Sequence, residues 1–195
     1  MKLIFATGNK DKFGRAFLVA KKNGITLEQE DIDIDEIQSE FHEEILKDKL
    51  KKAYELLQQP VIVSDDAWSI PELNGFPGSY MKSMSEWLSA EDFLRLCEPL
   101  KKRETILHQY LAYTDGEHEI ILNHDTEGKI LKEARGPEDG ASWTRIVVLN
   151  EGHGDMTIAE VREARDNKDK NLKENLDSAA STVWNQMFKQ IKELG

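Results

Sequence analysis

Cysteine, proline and long apolar runs are scarce in this chain of 195 residues, which has one Cys and five Pro. A lone Cys97 excludes an intramolecular disulfide, and its place in the apolar pattern Phe93, Leu94 and Leu96 marks it as a core residue. Neither a signal peptide nor a membrane-length segment is visible, so a cytoplasmic, reduced location is expected. No His/Cys cluster suggests zinc, repeats and low-complexity linkers are missing, and the G-x-G-x-x-G turn of dinucleotide-dependent oxidoreductases does not occur. Positive charge is also short, since 26 Lys and Arg against 37 Asp and Glu leave a formal charge of −11. That balance opposes binding to nucleic acid polymers or to anionic membranes. An anionic small ligand then needs a local basic pocket.

The stretch from Lys2 to Gly24 is the most informative part of what is present. Leu3-Ile4-Phe5-Ala6 is short and continuously apolar, as in a parallel strand covered on both faces. Phe13, Phe17, Leu18 and the stem of Lys21 recur at helical spacing. Between strand and helix, Thr7-Gly8-Asn9 supplies a hydroxyl, a residue free to take unusual backbone angles and an amide. They fall where unpaired N–H groups at a helix N-terminus attract anions, and Lys10 and Lys12 add positive charge.

The rest of the chain reads as one α/β domain over residues 1–195. Ile25 to Ile37 alternates apolar and acidic residues like a strand and turn, with Glu36 at its end. Glu40 to Gln59 predicts a helix whose apolar face holds Phe41, Ile45, Leu46, Leu50, Ala53, Leu56 and Leu57. Val61-Ile62-Val63 predicts a buried strand that delivers Ser64, Asp65 and Asp66 to its C-terminal end, where open α/β sheets place ligands. Leu73 to Gly78 is a turn-rich loop. One or two helices follow over Met81 to Leu100, with Trp87, Leu88, Phe93, Leu94 and Leu96 as core candidates. Thr105 to Leu122 predicts two antiparallel strands joined at Asp115-Gly116, with another strand near Glu127 to Leu131. After a loop from Arg135 to Gly140, a strand is expected around Ile146-Val147-Val148 and a helix from Thr157. The charged run Arg165 to Asn175 reads as solvated surface, and Ala179 to Leu194 as a closing amphipathic helix.

Three pieces carry chemistry together: the T-G-N-x-x-K turn, the acidic pair Asp65-Asp66, and the N-G-F-P-G-S-Y loop with Lys82 just beyond. A polyphosphate needs amide and hydroxyl donors, lysines to offset its charge, and a magnesium ion held by one or two carboxylates. Hydrolysis between phosphates needs a water relieved of a proton, and Asp66 is the candidate for that role.

These motifs, in this order, resemble the inosine triphosphate pyrophosphatase family over nearly the whole chain. The matching residues are Ala6 to Lys12, Glu36-Ile37-Gln38, Val61 to Asp66 and Leu73 to Tyr80. Glu127-Gly128-Lys129-Ile130, Arg135-Gly136 and Thr157-Ile158-Ala159-Glu160 resemble the family's E-G-x-I, P-R-G and T-x-A-E segments. The resemblance implies an elongated, two-lobed mixed-sheet α/β fold around a central cleft, with a second lobe at roughly 80–155, and a homodimer. It implies that Thr7, Gly8, Asn9, Lys12, Lys49, Ala67, Trp143 and Lys173 contact a nucleotide substrate. Glu36 and Asp66 would hold Mg2+, and Asp66 or its water would drive attack on the α-phosphorus, with Asp65 and Lys82 in support.

The chain departs from the family where the base is read. The usual D-D-S-G-L is Asp65-Asp66-Ala67-Trp68-Ser69, and F-G-[YW]-D-P becomes Ala141-Ser142-Trp143-Thr144-Arg145. The S-H-R motif is replaced by Ser178-Ala179-Ala180, and two alanines cannot make the hydrogen bonds of histidine and arginine to a 6-oxo purine. The expectation is therefore a nucleoside triphosphate pyrophosphohydrolase with altered or relaxed base choice. The alternative is a catalytically weak nucleotide-binding or sensor protein of the same fold.

Overall fold

The apolar run at the start of the chain forms β1 (Lys2–Ala6), and the alternation of its side chains builds two separate cores. Leu3 and Phe5 face one way, against Ala16, Val19 and Ala20 of α1 (Lys10–Lys22) and Val183, Trp184, Met187, Phe188 and Ile191 of the closing helix. Ile4 and Ala6 face the other way, against Leu46, Leu50 and Ala53 of α2 (His42–Leu57). The strand is thus covered on both sides, as its composition predicts. The computed structural model describes residues 1–151, 154–166 and 179–194.

Two units make up the chain. The first contains Met1–Asp66, Gln109–His124 and Ala180–Gly195. In it β1 pairs in parallel with β2 (Thr26–Glu30) and with β3 (Val61–Ser69), Ile4 lying opposite Val61. The second contains Ala67–His108 and Asp125–Ala179. There the end of β3 pairs antiparallel with β4 (Pro77–Gly78), and Ile130, the last residue of β6 (Glu119–Ile130), lies opposite Val147 of β7 (Val147–Leu149). Its core joins Trp68, Ile70, Phe93, Cys97, Trp143 and Ile146. With β5 (Glu104–Thr114), the hydrogen-bonded strand order is β2-β1-β3-β5-β6-β7, β4 adding to β3. Parallel and antiparallel pairs coexist, the mixed α/β fold that was expected.

Short helices α3 (Met81–Trp87) and α4 (Ala90–Leu96) fill the segment predicted as one or two helices. α5 (Ile158–Asp166) starts on a reciprocal cap, in which Thr157 N–H donates to Glu160 Oε2 and Glu160 N–H to Thr157 Oγ1. The T-x-A-E segment is therefore a helix start. α6 (Ala179–Leu194) closes the chain.

Several sequence expectations shift. The inner face of α1 is Ala16, Val19 and Ala20, while Phe17 and Leu18 are exposed, so the large side chains misplaced the stripe by about one residue. Phe41 and Leu56 of the α2 region also reach water, as do Trp87 and Leu96 in the second unit. The strand expected near Glu127 is the end of the long β6, and β2 stops at Glu30, leaving Ile32 and Ile34 to pack from irregular chain. The charged run Arg165 to Asn175 falls largely outside the described residues.

Candidate active site

The turn after β1 is tied down before any ligand is considered. Thr7 N–H donates to the Glu30 carbonyl, and Gln29 Nε2 donates to the Thr7 carbonyl, both at 2.8 Å. Asn9 caps α1, its Oδ1 accepting from Lys12 N–H at 3.0 Å, while Asn9 N–H donates to Thr7 Oγ1 at 3.1 Å. Two amides expected to await an anion are thus already bonded within the turn, and Thr7 and Asn9 shape it. Gly8 does not use its backbone freedom for a left-handed conformation. It is small because a Cβ there would lie 2.5 Å from Asp31 Oδ1. The sequence singled out neither Asp31 nor Gln29, whose only signal was an acidic, alternating stretch.

Charged side chains of the first unit gather beside this turn as three pairs. Lys12 Nζ lies 3.1 Å from Asp66 Oδ2, Lys49 Nζ lies 2.6 Å from Glu36 Oε1, and His42 Nδ1 lies 3.7 Å from Asp65 Oδ2. The His42 ring stacks on Tyr110, with centroids 5.3 Å apart. Burial pushes the Asp65 carboxyl up, but the His42 hydrogen bond and the charges of Lys12, Lys49 and His42 together outweigh it, so Asp65 titrates below the ordinary value. Both lysines thus act on one carboxylate, which links Lys12, Lys49, Glu36, Asp65 and Asp66 into one electrostatic group. His42 and Tyr110 were missed, because nothing in their local sequence separates them from other helix-start and strand residues.

The acids sit inside β3, not at its C-terminal end as expected, because the strand continues through Ser69 to meet β4. Lys12, Arg15, Ser64, Asp66 and Gln109 line a cavity of about 20 Å³, room for about one water. A polyphosphate does not fit within that cavity.

Among the described residues, no group of three His, Cys, Asp or Glu side chains is arranged to hold a metal. Magnesium, however, takes one or two carboxylates and completes its shell with water and substrate phosphate oxygens. Glu36 and Asp66 are hard oxygen donors, each already beside a cation, so their chemistry fits an ion that arrives with a phosphate chain.

The remaining predicted site residues behave differently. Trp143 is 1 % exposed, and its ring meets Phe93 at 5.0 Å and Trp68 at 5.9 Å, both edge-on. It packs the core of the second unit and has no open face for a nucleobase, which corrects its assignment as a substrate contact. Ala67 is fully buried, backbone included, so it presents no surface to a ligand. Lys82 is exposed on α3 of the second unit. Lys173 and Ser178 lie outside the described residues.

Comparison with known proteins bears on this arrangement. A model of the Ham1 family matches residues 3–174. A protein of Methanopyrus kandleri named dITP/XTP pyrophosphatase is 35% identical over 162 residues, 83% of this chain and 85% of that protein. An inosine triphosphate pyrophosphatase of Candida glabrata is 35% identical over 167 residues, 82% of this chain and 85% of that one. Among solved structures, a HAM1 protein from Coxiella burnetii superposes with a TM-score of 0.74 at 19% identity, covering 99% of both chains. The Staphylococcus aureus Ham1 protein gives 0.73 at 18% identity over 100% of both.

Proposed function

Because the chain belongs to the Ham1 family, we propose that it is a nucleoside triphosphate pyrophosphohydrolase, converting NTP and water to NMP and pyrophosphate. The observation that carries this reading is the pairing of Lys12 and Lys49 with Asp66 and Glu36 around Asp65. A triphosphate draws the two ammonium groups onto its oxygens and frees the two carboxylates. Glu36 and Asp66 would hold Mg2+, which when bound would neutralise phosphate charge and make water a better nucleophile. Asp66 accepts a proton as water attacks the α-phosphorus and the bond to the bridging oxygen breaks. Lys12 and Lys49 balance the charge of the departing pyrophosphate. Thr7, Gly8 and Asn9 position the phosphate chain, and Asp65 keeps the lysines oriented.

Base choice is altered or relaxed. Ala67, Trp68 and the closed Trp143 cluster support this, since none of these side chains offers a hydrogen bond to a purine edge from an open pocket. The enzyme acts in the cytoplasm as a homodimer, a state that light scattering measures directly. One observation favours a second reading, a nucleotide-binding protein with weak catalysis: Asp66 is neutralised by Lys12 at 3.1 Å.

Pyrophosphate release across a panel of nucleoside triphosphates with magnesium separates the two. The hydrolase reading expects turnover of at least one nucleotide, falling ~10²–10⁴-fold in Asp66→Asn. Binding of nucleotides without turnover of any would establish the second reading in its place.

A further inference from the structure

Ser69, His108 and Asp125 belong to the second unit and take no part in the charged group described above. Ser69 Oγ lies 2.8 Å from His108 Nε2, and His108 Nδ1 lies 2.8 Å from Asp125 Oδ1. An ionised carboxylate only accepts, so the proton between His108 and Asp125 belongs to Nδ1. Nε2 of the neutral ring then carries a lone pair, and the Ser69 hydroxyl is the group that donates to it. The order serine, imidazole, carboxylate is that of an activated nucleophile, its base and the group that orients the base.

The backbone keeps this order in place. Ser69 ends β3, His108 lies on β5 and Asp125 on β6, three strands adjacent in the sheet. Thr105 Oγ1 donates to the Ser69 carbonyl at 2.9 Å, fixing the strand end. The His108 and Asp125 side chains are 20% and 50% exposed, so the relay opens to solvent and is not sealed in the core.

We propose that Ser69 is an activated nucleophile that takes an acyl or phosphonyl group from small, reactive esters or phosphonates. His108 is its general base and Asp125 the positioning residue. As Oγ attacks the electrophilic carbon or phosphorus, the hydroxyl proton passes to His108 Nε2, the new O–C or O–P bond forms, and the bond to the leaving group breaks. That proton then goes to the departing alcohol or is released with a departing fluoride. Water can reverse the acyl case by the same base, releasing the acid and restoring the hydroxyl.

The test uses the full chain and a fluorophosphonate probe, read by intact mass and peptide mapping. The expected result is one phosphonyl group per chain on Ser69, formed faster as pH rises, as general-base attack requires. Ser69→Ala takes no label at that peptide. His108→Gln and Asp125→Asn are labelled ~100-fold more slowly or less readily still, the scale of a lost general base. Asp125→Asn is the sharper variant, because its carboxamide can donate to Nδ1 and move the ring proton onto Nε2. Thermal melts confirm that each variant is folded. Absence of label from Ser69 in the wild-type chain would overturn the proposal, as would equal, pH-independent labelling in folded Asp125→Asn. Either result would mark the relay as a structural hydrogen-bond chain.

Discussion

In the first unit, Lys12, Lys49, His42, Glu36, Asp65 and Asp66 meet as part-exposed ion pairs, whereas in the second Trp68, Phe93 and Trp143 meet edge-on out of reach of water. The two kinds of contact respond differently to a ligand. An ion pair open to solvent has small net stability, so its partners can be exchanged for phosphate oxygens at little cost. An aromatic cluster at interior density cannot open without losing its dispersion contacts. Reactive groups therefore gather where contacts are exchangeable, and Trp68 and Trp143 serve shape.

Predictions follow from that contrast, and each can break it. Trp143→Ala should cost ~3–5 kcal/mol in guanidinium unfolding, as large-to-small changes of buried aromatics do. If stability stayed level while the KM for nucleotides rose, the ring would be a ligand contact and the comparison would fail. Lys12→Ala should do the reverse, weakening triphosphate binding ~10–100-fold through a lost charge-assisted bond while moving stability by about 1 kcal/mol or less. Gly8→Ala should destabilise by about 1 kcal/mol, because the new methyl meets only the far end of the Asp31 side chain. Adding Asp31→Ala should recover most of that loss in a double-mutant cycle. The smallest effect concerns acid. Asp65 titrates below its ordinary value when folded, so its contribution is complete above the unfolded pKa of 3.8 and fades as pH falls through the lower folded value. The stability gap between wild type and Asp65→Asn should therefore narrow as pH falls below 3.8 and through the lower folded value. A gap independent of pH would detach Asp65 from the lysines.

How much of this was legible in the sequence depends on what kind of contact held each residue. β1 was readable because four apolar residues in a row have no amphipathic alternative, and the Asp115-Gly116 turn because Gly116 takes φ +96. Lys12 and Asp66 were readable as motif residues, and their structure pairs them. The face of α1 was not, since alanines 16 and 20 bury fully while the larger Phe17 and Leu18 stay outside. His42, Tyr110 and the Ser69 relay were also hidden. They are separated in sequence by tens of residues, His42 meeting Tyr110 from the start of α2 and the relay meeting across neighbouring strands, which leaves no local pattern.

The end of the first strand has one further consequence. Thr7 Oγ1 and Asn9 Oδ1 each already receive a backbone N–H, so what these two side chains turn outward is predominantly hydrogen: a hydroxyl proton and a carboxamide NH2. Such a loop sorts visitors by proton count. A fully ionised oxyanion finds donors without forcing any group to rotate, and the same guest loses that welcome once it is protonated.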